Sequence, residues 1–64
     1  MRLSEFWERM ELQFGVGYAS SVAADQVIAQ LGGRTVNQAL AEGESAKAVW
    51  RAVCQAFDVP AKLR

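Results

Sequence analysis

Leu3-Ser4-Glu5-Phe6-Trp7-Glu8-Arg9-Met10-Glu11-Leu12-Gln13-Phe14 is the stretch that decides the fold. Leu3, Phe6, Trp7, Met10 and Phe14 recur at i, i+3, i+4, i+7 and i+11, which places them along one face of a helix. Near the other end Ala46, Val49, Trp50, Val53 and Phe57 repeat the pattern, so two amphipathic helices bracket the chain. Between them no alternation long enough for a strand occurs, and the fold class predicted is all-α.

Glycines punctuate the elements. The first helix runs from about Ser4, a serviceable N-cap, to Phe14, where Gly15 can turn left-handed. A second starts near Gly17 or Tyr18 and continues through Val27, Ile28 and Leu31 to the Gly32-Gly33 pair, with Ala19, Ala23 and Ala24 allowing a neighbour to approach. Thr35-Val36-Asn37-Gln38 reads as a capping box opening a short third helix, about Val36 to Glu42. Gly43 closes it, Ser45 caps the next, and the fourth helix ends near Phe57 before Pro60. The expectation is a compact bundle of about four short helices with a helix-turn-helix-like C-terminal half. Residues 1–60 form a single helical domain and residues 61–64 a frayed basic tail.

At 64 residues, one domain is the ceiling, and every large apolar side chain is needed in the core. A single cysteine, Cys54, and no histidine leave no disulfide or zinc staple within one chain, so helix packing or self-association must supply the stability. The charged start carries no secretory signal, and no stretch reaches the roughly 18 apolar residues of a membrane span. A cytoplasmic protein without membrane attachment is expected. Seven basic and seven acidic residues cancel, which removes the simplest electrostatic case for a nucleic-acid binder. Their distribution is uneven: residues 33–64 are net positive and residues 1–32 net negative.

Chemistry has few places to reside. Without histidine, the usual general acid and base near neutral pH is missing. Glu5, Glu8 and Glu11 fall on the water-facing side of the first helix as a solvated acidic stripe. Cys54 has only Arg51 nearby to activate it, and beside Val53 it reads as a small core hydrophobe. Gly15-Val16-Gly17 with Ser20 lacks the preceding strand and third glycine of a dinucleotide fingerprint. Gly32-Gly33-Arg34-Thr35 could cradle an anion at a helix start, although it lacks the Walker lysine. No catalytic, cofactor or metal residue is expected.

The most suggestive arrangement is the short third helix, Gly43-Glu44-Ser45, and a longer helix carrying Lys47 and Arg51 one turn apart. In a helix-turn-helix Lys47 and Arg51 would read bases, with Arg34 and the Lys62/Arg64 tail on phosphates. Zero net charge and the poor hydrogen-bonding capacity of Ala48, Ala52 and Gln55 count against that use. Trp7 and Trp50 belong to the core unless one is left exposed as a partner anchor.

Met1-Arg2-Leu3-Ser4-Glu5-Phe6, Phe14-Gly15, Tyr18, Asp25, Gly33-Arg34-Thr35, Val49-Trp50-Arg51-Ala52-Val53-Cys54 and Phe57-Asp58-Val59-Pro60 together resemble a small actinobacterial family known as domain of unknown function 3046. The resemblance spans nearly the whole chain. It implies no defined activity, and it implies a DNA-repair or recombination setting, because genes of this family often lie near those for RecA and RecX. The reading is a non-catalytic, protein-binding interaction module whose candidate face is Arg34, Lys47 and Arg51, with a homodimer as a further option. The alternative is a helix-turn-helix DNA-binding protein using the same three residues.

Overall fold

The computed structural model describes residues 1–64 as an all-α globule measuring 25 × 21 × 21 Å. Helix α1 spans Leu3–Phe14 and buries Phe6 and Met10, with Trp7 and Phe14 packed partly buried beside them. It starts one residue before Ser4: Arg2 holds the extended N-cap position, makes no side-chain cap, and accepts the Phe6 N–H through its carbonyl at 3.0 Å. Leu3, the first member of the apolar stripe, lies exposed in this opening turn. Gly15 ends the helix at φ 95°, where its carbonyl receives the N–H groups of Tyr18 and Ala19 and reverses the chain.

Helix α2 is shorter than its sequence suggests, spanning Ala19–Asp25 rather than continuing to Leu31. From Gln26 the backbone becomes extended, and the Ile28 N–H donates to the Arg34 carbonyl at 3.0 Å as an isolated antiparallel bridge. Two consecutive β-branched residues favour that change. Val27 is 65% exposed while Ile28 is buried, an alternation with the two-residue period of extended chain. A 3-10 turn at Ala29–Leu31 and left-handed Gly32 and Gly33 then close a tight loop. Ala19 and Ala23 pack into the core as small residues on a close helix contact, whereas Ala24 faces water.

Helix α3, Val36–Ala41, opens with both halves of the capping box. The Gln38 N–H reaches Thr35 Oγ1 at 3.1 Å, and the Thr35 N–H reaches Gln38 Oε1 at 2.8 Å. Helix α4, Ala46–Phe57, is capped by Ser45, whose Oγ accepts the Ala48 N–H at 3.1 Å. Replacing Ser45 by alanine is expected to cost about 1 kcal/mol of stability, and Ser45→Asp to restore it, read from urea denaturation midpoints. Asp58, left-handed at φ 53°, ends α4, and the Val59 N–H folds back to the Cys54 carbonyl.

Helix α4 is the central element, burying Val49, Trp50, Ala52, Val53 and Cys54. The aromatic rings meet edge to face: Phe6 lies 5.2 Å from Trp7 and 6.0 Å from Trp50, and Phe14 lies 5.1 Å from Phe57. The last residues differ from the frayed tail that their composition suggests. Ala61–Leu63 form a 3-10 turn whose Leu63 carbonyl accepts the Trp50 indole N–H at 3.1 Å, and Arg64 Nε donates to the Val59 carbonyl at 2.7 Å. A buried indole needs an acceptor, and the chain end supplies it. No helix is long and apolar enough to cross a membrane.

Candidate interaction groove

Arg34, Lys47 and Arg51 do not form one face. Arg34 sits at the end of the Ile28 bridge with each of its three guanidinium nitrogens donating a hydrogen bond. Nε donates to the Leu31 carbonyl at 2.7 Å, Nη1 to Glu42 Oε1 at 3.0 Å, and Nη2 to Glu44 Oε2 at 2.8 Å. Hydrogen bonds to Glu44 and then Glu42 raise its pKa further, so it stays a fixed cation. The planar fork thus pins the Gly32-Gly33 loop to the connection between α3 and α4. A phosphate would have to displace two carboxylates already in place. Arg34→Gln is expected to lower the melting temperature while leaving the properties of the Lys47/Arg51 face unchanged, as followed by circular dichroism and by ligand titration of the same sample.

Lys47 and Arg51 project from the exposed side of α4, one turn apart. They line a groove of about 300 Å³ between α4, the start of α1 and the chain end, joined there by Arg9 and Arg64. Met1 and the edge of Trp50 form its apolar part, and Glu5 is its one carboxylate. Arg9 is anchored by a hydrogen bond from Nη1 to the Arg64 carbonyl at 3.2 Å. The ion pairs of the molecule are the two made by Arg34 and one between Arg64 and Asp58 at 3.6 Å. Lys47 and Arg51 therefore stand beside Arg9 without an ion pair of their own, which is unfavourable for the isolated molecule and favourable for holding an anion.

Sequence reasoning places Arg64 on a tail and leaves Arg9 unremarked. Arg9 belongs to the site only because α1 packs against α4, a contact between elements far apart in the chain that no local pattern encodes. The third face of α1 behaves differently. Glu8, Glu11, Leu12 and Val16 line a shallower hollow of about 250 Å³, and Leu12 and Val16 are 70% and 76% exposed.

Cys54 is buried in the core as its apolar neighbours suggest. Burial raises its thiol pKa, only partly opposed by the positive field of Arg64 and Arg9. Because the folded pKa lies above the unfolded one, this contribution to stability is complete at neutral pH. It is lost as the pH climbs through the thiol range, where the unfolded chain ionises first. Reaction with Ellman's reagent at neutral pH is expected to be slow in the folded protein and to become fast in urea; prompt labelling of the native chain would show the thiol to be accessible. No three His, Cys, Asp or Glu side chains cluster closely enough to hold a metal ion.

Fold and groove together define a small all-α domain with one cationic hollow on its surface. The chain belongs to the family described as Protein of unknown function (DUF3046), whose model matches residues 1–62. Neither a curated protein nor a solved structure matches the chain.

Proposed function

We propose that this chain is a non-catalytic protein-binding module whose groove, formed by Arg9, Lys47, Arg51 and Arg64, takes an acidic segment of a partner protein. The observation that supports it is the gathering of four cations in one groove with Glu5 as the one acidic side chain among them, Lys47 and Arg51 making no ion pair of their own. Guanidinium groups in such a setting recognise carboxylates by paired hydrogen bonds, and the exposed Met1 side chain offers apolar contact beside them. The proposal places the module in the cytoplasm and, following the family resemblance, in a repair or recombination setting.

The competing use of the same helix is DNA reading by Lys47 and Arg51. Two features weigh against it. Arg34 is committed to carboxylates, and Glu42 and Glu44 stand just ahead of α4, where a recognition helix would approach the phosphates. Fluorescence anisotropy with a labelled polyglutamate peptide and with duplex DNA, each at two salt concentrations, separates the readings. Saturable, salt-weakened binding of the peptide, tighter than that of the duplex, is expected. Preferential binding of the duplex with a steep salt dependence would overturn the proposal in favour of the helix-turn-helix reading.

A further inference from the structure

We infer that the groove of one copy receives the outer ridge of α1 from a second copy, joining the chains head to tail. The inference rests on the reading of the groove as a protein-binding surface and names one occupant for it.

The ridge is the solvent side of α1, where Glu8, Glu11 and Leu12 stand at i, i+3 and i+4 and, with Val16, border the shallow hollow. It is thus an amphipathic strip with the chemistry that the groove is built to take: carboxylates next to apolar side chains, offered by a helix already folded. The signs are opposite, and the exposed Leu12 has an apolar counterpart in the exposed Met1 of the groove. Glu8 and Glu11 take no part in the ion pairs of their own chain, so both surfaces are free to engage. A specific interface needs on the order of 600 Å² from each partner, about 15% of the 3948 Å² that this molecule exposes. Ridge and groove are different patches, so the contact is heterologous: each added copy leaves one groove and one ridge free, and the assembly extends or closes as a ring.

Sedimentation equilibrium of the full chain tests this, over micromolar to millimolar concentration, at about 0.01 M and about 1 M salt, where charges are felt over about 30 Å and about 3 Å respectively. The wild type is expected to rise above its 7.0 kDa monomer mass with concentration at low salt and to return to it at high salt. Glu8→Gln/Glu11→Gln and Lys47→Gln/Arg51→Gln change exposed side chains and should each be monomeric alone. Mixed in equal amounts they retain one good ridge and one good groove between them, and should form a dimer that grows no further. A wild type that stays monomeric throughout, or association that both variants leave intact, overturns the inference. If the wild type stays monomeric yet binds polyglutamate at the groove, only the self-association falls; if it does neither, the reading of the groove falls with it.

Discussion

Phe6→Ala is expected to leave the chain only marginally folded at room temperature. The ring is fully buried, stands edge-on to Trp7 at 5.2 Å and to Trp50 at 6.0 Å, and thereby connects α1 to α4. Truncating a buried phenylalanine costs about 3–5 kcal/mol, from lost burial and from the cavity that remains. A domain of this size has a total stability near the low end of the usual range, about 5 kcal/mol. The single change therefore removes most of the margin. Far-ultraviolet circular dichroism should show a weakened helical signal at room temperature and a melt displaced far below that of the wild type. Trp50→Phe is the informative comparison: it keeps most of the apolar volume but loses the indole hydrogen bond to the Leu63 carbonyl, worth about 1 kcal/mol, and frees the Ala61–Leu63 turn. A cooperative Phe6→Ala melt close to that of the wild type would show that the aromatic cluster is not the centre of the core.

Much of this architecture is written locally. The opening of α3 follows from Thr35 and Gln38 three residues apart, and that of α4 from Ser45, because a cap needs only side chain and backbone within one turn. Phe6, Met10, Val49 and Val53 declare their burial through the 3.6-residue period. The early end of α2 is less legible. Val27 and Leu31 satisfy a helical spacing as well as Ile28 satisfies an extended one, and the bridge to Arg34 decides between them. Arg34 itself misleads for the same reason: beside two glycines at a helix start it looks like an anion cradle, yet its anions are Glu42 and Glu44 of its own chain. The groove was half legible. Lys47 and Arg51 share a helix face and can be paired from sequence, while Arg9 and Arg64 join them through the packing of α1 and the docking of the chain end on Trp50.

Lys47→Glu/Arg51→Glu is the change expected to act most strongly on recognition. Both side chains are exposed, neither is ion-paired, and neither supports a helix cap, so the fold should survive with its melt nearly unchanged. In the groove the effect is large, since two attractive charges become two repulsive ones and Arg9 and Arg64 gain carboxylates that compete with any acidic ligand. Exposed pairs contribute about 0.2–1 kcal/mol each, and reversal doubles the difference at both positions, so affinity for an acidic segment should fall by several-fold up to about a thousandfold. The loss should shrink at high salt, where the wild-type charges are themselves screened. Lys47→Arg should bind as the wild type does, because it keeps the charge. Polyglutamate binding by the charge-reversed protein at wild-type strength would remove Lys47 and Arg51 from the site. If binding survived this change and vanished in Arg34→Gln, the recognition surface would instead lie beside the Gly32-Gly33 loop.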